Sequence, residues 1–142
     1  MTDEAVLLVQ LESPVPFTVA DGTGIEKGTL LKMTSPRTAS AASAATDMIA
    51  GIAASEKIAN DGKTSLGVYR RGIFKMTLSG TDGCVAIGQG VTQAAGPANY
   101  ITSGSDISSG SMILGQALAT GAKSESIAVD LNIGSSTYNK VA

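Results

Sequence analysis

From Glu125 to Ile133 the chain alternates with a period of two. Ile127, Val129, Leu131 and Ile133 fall on one face, and Ala128, Asp130 and Asn132 on the other. Successive side chains of an extended chain point to opposite sides, so this period marks a strand and not a helix. The same alternation runs through Gly72–Leu78, where Phe74, Met76 and Leu78 oppose Lys75 and Thr77. It returns in Ala5–Leu11, with Leu7, Val9 and Leu11 opposite Val6 and Leu8. Shorter candidates are Thr29–Met33, Ser65–Tyr69, Cys84–Ile87, Val91–Ala94 and Met112–Ala119. Asp21-Gly22, Asp61-Gly62 and Asp82-Gly83 punctuate them, and Asp-Gly pairs suit tight turns. Asn60–Lys63 reads as the tip of a hairpin joining Ile49–Ala59 to Thr64–Tyr69. The two prolines of Ser13–Pro16 hold that stretch extended and argue against a central strand there.

The stretch 37–59 is ambiguous. Thr38–Thr46 is an Ala/Ser/Thr tract, and Asp47 is placed to cap a helix reaching Ala59. Gly51 and the following hairpin tip favour a strand instead, so the reading is a mobile loop over 37–47 and then a strand. A pattern of an aliphatic three residues before a glycine occurs at Ile25/Gly28, Ile87/Gly90 and Ile107/Gly110. Its unequal spacing is not that of a solenoid and reads as one turn device reused in a small barrel.

Ala, Gly, Ser and Thr make up nearly half of the chain, while Leu, Ile, Val and Phe supply just over a fifth. In 142 residues that is one domain with a thin core. Only 15% of residues are charged, so the surface is largely hydroxyl, glycine and alanine. Such a surface suits a protein that covers much of its outside with partners, or one built of β-strands and turns.

The chain contains no histidine, which removes His-based triads, zincin sites and histidine acid–base pairs. A single cysteine, Cys84, forms no internal disulfide and makes no structural zinc site alone. Five aromatics and no tryptophan are poor material for stacking bases or sugars. A net charge of −2 leaves no electrostatic footprint for nucleic acid, and no apolar run approaches a membrane span. The acidic start followed by seven apolar-rich residues is not a secretory signal, which implies synthesis in a cytoplasm.

Gly62-Lys63-Thr64 matches only the end of a phosphate-binding loop, because Lys57 stands where that loop needs a glycine. Cys84 has no histidine to activate it and reads as a buried thiol. The carboxylates show no catalytic spacing, and no metal or cofactor set is visible. Arg70, Arg71 and Lys75 form the one local basic cluster, read either as a solvated strand edge or as a patch for an acidic protein surface. These residues describe an all-β domain without visible catalytic machinery, which points to a structural or assembly role rather than an enzyme.

The order of segments resembles the capsid cement, or head decoration, proteins of tailed phages. Val19–Met33, with Gly24-Ile25-Glu26-Lys27-Gly28, is similar to their opening phrase. Ile49-Ala50-Gly51-Ile52-Ala53, Gly67–Phe74, Ile87–Val91, Leu114–Leu118 and Ile127–Leu131 follow in the matching order. The tract 38–46 and the Arg70-Arg71 pair depart from the pattern. The resemblance implies a small single-domain β-barrel or sandwich of the β-tulip kind with long loops. Residues 1–16 would be an extended arm or a first strand, and 17–142 the barrel. It implies a non-enzymatic virion protein on the capsid exterior, bound to the major capsid protein where subunits meet, and a homotrimer or dimer without cofactor, nucleic acid or membrane. The interface candidates are Ala5, Val6, Leu7, Leu8, Val9, Gln10, Arg70, Arg71 and Lys75. Alternatives are a tail or fibre-base module, or a small ligand- or glycan-binding barrel.

Overall fold

The computed structural model describes residues 4–43, 47–80, 84–94, 99–103, 111–133 and 138–139. The described chain is all-β. Thirteen strands are present among these residues: β1 (Val6–Gln10), β2 (Val15–Thr18), β3 (Leu30–Ser35), β4 (Thr38–Ala41), β5 (Ile49–Ala53), β6 (Ser65–Tyr69), β7 (Arg71–Leu78), β8 (Gly90–Gln93), β9 (Tyr100–Ser103), β10 (Ser111–Met112), β11 (Gly115–Ala117), β12 (Ser126–Asn132) and β13 (Tyr138–Asn139). The longest alternations become β7 and β12, pairing antiparallel from Arg71↔Asn132 to Thr77↔Ser126.

The strands close twice. The first ring runs β2-β4-β3-β5-β6 and back to β2. The second runs β7-β9-β8-β11-β12 and back to β7. Each ring holds one parallel pair, β2 with β4 and β7 with β9, and is otherwise antiparallel. Strand for strand, the topology is the same. The small β10–β13 pair lies outside both rings.

The repetition extends to the turns. Ile25 and Lys57 exchange both backbone bonds at 2.9 and 2.7 Å, and Val85 and Gly121 do the same at 3.1 and 3.0 Å. Gly28 donates to Ala53 O at 2.9 Å and Gly88 to Ala117 O at 2.8 Å. Both glycines sit at positive φ, 87° and 88°, where an L side chain is strained. The match of Ile25/Gly28 is therefore Val85/Gly88, two residues before the pair the sequence suggests. Ile87 is 67% exposed and Gly90 opens β8. The third pair, Ile107/Gly110, and the Asp82-Gly83 turn lie outside the described residues.

The first ring encloses Phe17, Val19, Ile25, Leu31, Ala39, Ala50, Ala53, Leu66 and Val68. The second encloses Phe74, Met76, Leu78, Val91, Leu114, Val129 and Leu131, among others. Leu30, Ala42, Ile49 and Ile52 leave the first ring outward and join this second core. β5 is consequently buried along its whole length, one face in each core. Leu30 N–H also donates to Asn99 Oδ1 at 2.9 Å in the buried zone between the rings.

Three sequence readings change. The loop expected over 37–47 contains β4, because Ala39 is small enough to line a narrow ring; residues 44–46 are outside the described set. The strand expected at Cys84–Ile87 is instead the turn that leads into β8. Pro16 does lie in a ring strand. β2 is laddered to β6 along its length but to β4 only at Thr18↔Thr38. The missing N–H therefore breaks no second ladder, and Pro16 O accepts from Arg37 Nη2 at 2.7 Å.

Ile52 and its counterpart Gln116 separate the shared core from the solvent face. Ile52→Ala should cost about 2–5 kcal/mol in urea unfolding, as for other buried large-to-small changes. Gln116→Ala, at an exposed position, should stay within about 0.5 kcal/mol.

Candidate interaction surface

β1 belongs to neither ring. It adds antiparallel to β7, with Val6↔Lys75, Leu7↔Phe74, Val9↔Ile73 and Gln10↔Gly72 in register. β1 and the segment chosen for its positive charge thus lie side by side, although they are far apart in sequence. β1 is the terminal strand of its sheet, so its outer edge has no ladder among the described residues.

The alternation expected for Ala5–Leu11 is broken. A bulge falls between Leu7 and Val9 and shifts the facing of everything before it. Leu7 alone of the β1 aliphatics packs onto the core, next to Ala5. Val6, Leu8, Val9 and Leu11 are 54%, 51%, 47% and 50% exposed. Four half-exposed aliphatics in six residues make a continuous apolar strip, whereas the other exposed large aliphatics, such as Ile58 and Ile87, stand singly along the chain. Ala5 N–H donates to Gly28 O at 2.9 Å, and a Cβ on Gly28 would collide with Ala5 and Glu4. The segment entering β1 is therefore seated on the first ring's turn. Gln10 Oε1 accepts from Tyr69 Oη at 3.4 Å.

The basic residues divide. Lys75 is exposed beside Val6. Arg70 is half-buried at the junction of the rings, its guanidinium carbon 5.9 Å from the centre of the Phe17 ring. Arg71 is half-buried on the outer face of β7, opposite Asn132. Nε of each arginine and Oδ1 of Asp130 are buried without a hydrogen-bond partner. Lys75 is thus the solvated charge of the three, and both arginines are half-buried, Arg70 against the Phe17 ring.

A second charged cluster went unread in the sequence. Lys57 is 2% exposed, and its ammonium donates to Asp61 Oδ1 at 2.7 Å, Ile58 O at 2.6 Å, and Asp21 O and Oδ1 at 3.1 Å each. Asp21 and Asp61 lie in turns, as their Asp-Gly pairs suggest; Gly62 N–H donates to Asp21 and Lys63 N–H to Asp61. Gly62-Lys63-Thr64 is accordingly part of a carboxylate-braced loop and not a hairpin tip: the strand expected over Ile49–Ala59 ends at Ala53, and beyond it Lys57 pairs with Ile25 and Asn60 N–H donates to Asp21 O. Burial pulls the Lys57 ammonium toward neutrality, but its hydrogen bonds to Asp61 and Asp21 outweigh that and hold its pKa above the ordinary value. A lysine held protonated is neither base nor nucleophile. Nothing in the spacing of the three residues signals this cluster, because the ring closure brings them together.

Cys84 is exposed, not buried as its setting suggested. Among the described residues no group of three or more Cys, Asp or Glu is placed to hold a metal ion. No family model matches the chain, and no curated protein matches it.

The Lys57 cluster makes stability depend on pH. Its hydrogen bond to Lys57 holds Asp61 below the usual carboxylate range, so its contribution is complete above that range and is lost as pH falls through the lowered value. The raised Lys57 value gives the opposite limb: the contribution is complete below the ordinary lysine pKa and is lost as pH rises through the raised one. Lys57→Met should lower Tm at pH 7. The gap to wild type should close as the solution is acidified through the Asp61 transition, followed by thermal unfolding across pH.

Proposed function

We propose that this chain is a structural virion protein that binds the outer surface of a mature phage capsid and cements the head where capsid subunits meet. The observation that carries the reading is β1: an apolar edge strand, open on one side, with the Lys75 ammonium at its flank. The sequence resemblance to head decoration proteins supplies the class of partner, the major capsid protein.

The physical mechanism is strand addition. The outer N–H and C=O groups of β1 offer a ladder to an exposed edge on the shell, and Val6, Leu8, Val9 and Leu11 supply apolar burial. Lys75 contributes attraction to acidic shell surface, which steers encounter more than it adds affinity. Each contact is modest. A homotrimer on a symmetric shell multiplies them, and binding at one protomer raises the effective concentration of the others. On this reading the chain turns over no substrate and resides on the outside of the head.

Both rings close without β1, so deletion of residues 1–12 should leave the domain folded and abolish sedimentation with purified expanded heads. Retained head binding by the truncated, folded protein would remove β1 from the interface. Lys75→Glu should weaken binding at low salt with Tm unchanged, and the difference should shrink as salt rises. Arg70→Glu should instead lower Tm through loss of the Phe17 contact. In the source phage, the protein should band with tailless heads, at a copy number comparable to the shell protein. Recovery with tails alone would overturn the capsid assignment.

A further inference from the structure

Asp21-Gly22 and Asp61-Gly62 both lie among the described residues, and both can react within their own chain. In an Asp-Gly pair the glycine nitrogen can approach the side-chain carbon of the residue before it, because glycine carries no Cβ to shield it. A C–N bond then closes a cyclic imide, a succinimide. The carboxyl gives up one oxygen, which leaves as water with the acid proton and the amide proton. Water later reopens the ring at either carbonyl. One opening restores aspartate. The other leaves isoaspartate, with the main chain running through the former side chain. Nothing is oxidised or reduced, and water is the only co-reactant. The reaction requires an amide nitrogen free to turn onto the carbon. It also requires a protonated carboxyl, since an ionised carboxylate has no hydroxyl to lose.

The two pairs meet these requirements differently. Gly62 N–H is committed across the loop to Asp21 Oδ1 at 2.8 Å. Asp61 Oδ1 accepts from Lys57 Nζ at 2.7 Å and from Lys63 N–H at 2.9 Å, and the lysine favours its ionised form. Ring closure at Asp61 must therefore break hydrogen bonds at both reacting groups, each with an ionised partner. Asp21 also meets Lys57, at 3.1 Å, but its side chain is 39% exposed against 21% for Asp61. Among the described residues nothing accepts from the Gly22 N–H, which stands at an exposed turn. A Cβ on Gly22 would meet only Asn60 Oδ1, at 3.8 Å, so this turn is uncrowded.

We propose that Asp21 is a site of spontaneous isoaspartate formation in the folded protein, and that Asp61 is locked against the same reaction by Lys57 and Asp21. Conversion at Asp21 rebuilds the closure of the first ring. Asp21 O accepts from Asn60 N–H at 2.7 Å and from Lys57 Nζ at 3.1 Å. In isoaspartate that oxygen belongs to a free carboxylate, beside a main chain one carbon longer. The buried ammonium thus has a second task besides stability, since it keeps one of two like pairs chemically inert. This inference is independent of the capsid reading.

The test holds the wild-type protein at neutral pH in water enriched in heavy oxygen, in its native state and, in parallel, in denaturant. Each passage through the succinimide takes up one oxygen from water, so peptide mass spectrometry follows both sites in one sample. In denaturant the two pairs should convert at similar rates. In the native protein Asp21 should lead Asp61 by about tenfold or more, the worth of one hydrogen bond to a charged group that attack at Asp61 must break. Lys57→Met, held below its own Tm, should speed Asp61 and narrow the gap. Gly22→Ala, which the uncrowded turn accommodates, should suppress uptake at Asp21 with Tm unchanged. Native protein that converts Asp61 as fast as Asp21 overturns the proposal. So does native protein with no uptake at Asp21 while the denatured chain takes up label, and so does a folded Lys57→Met protein with the gap unchanged.

Discussion

The structure depends on the burial of Leu30, Ala42, Ile49 and Ile52 against the second ring. The first ring has little interior of its own. Alanines 39, 50 and 53 line the first, where a wider barrel would hold larger side chains. Small cores of this kind give marginal stability, since little apolar area leaves water relative to the chain ordered. Facing the outside of β3 and β5 into the second core lets one set of strands serve both interiors. The continuous run from β6 into β7 does the same covalently, crossing from one ring to the other with only Arg70 between the strands.

The two rings repeat one plan but have diverged where they meet the outside. Where the first ring presents Leu30 and Ile52 to its neighbour, the equivalent positions of the second carry Gly90 and Gln116, and Gln116 is exposed. Its amide donates to Gly88 O at 3.2 Å, the carbonyl matching the Gly28 O that receives Ala5. Among the described residues, the far side of the second ring thus lacks the pair of large aliphatics that joins the rings inside the chain, although Ile113 lies over Gly90. Lys57 has Gly121 as its counterpart, so the buried ammonium braces only one of the two closures.

Much of this was legible in the sequence where large aliphatics alternate. β6, β7 and β12 follow from Leu66 and Val68, from Phe74, Met76 and Leu78, and from Ile127, Val129 and Leu131, because each set has one buried face. Legibility failed where size stopped tracking burial. β4 is built from Thr, Ala and Ser, and such residues read as loop until a narrow interior requires them. The duplication was hidden because the second turn uses Val85, and the more conspicuous Ile87 beside it points to water. In β1 a single bulge cancels the facing that the alternation implies. The apolar character of β1 and the charge of Lys75 are both visible in the sequence, but their adjacency comes from the antiparallel register, which no local pattern encodes.

The direction of β1 has a mechanical consequence. Residues 6–10 and 15–18 lie on one antiparallel line against β7 and β6. Ladder hydrogen bonds stand perpendicular to that line. Tension applied to the arm along its own axis would load those bonds together in shear, whereas a sideways pull would open them one at a time like a zip. The same short strand is thus a firm tether in one direction and an easily peeled one in the other.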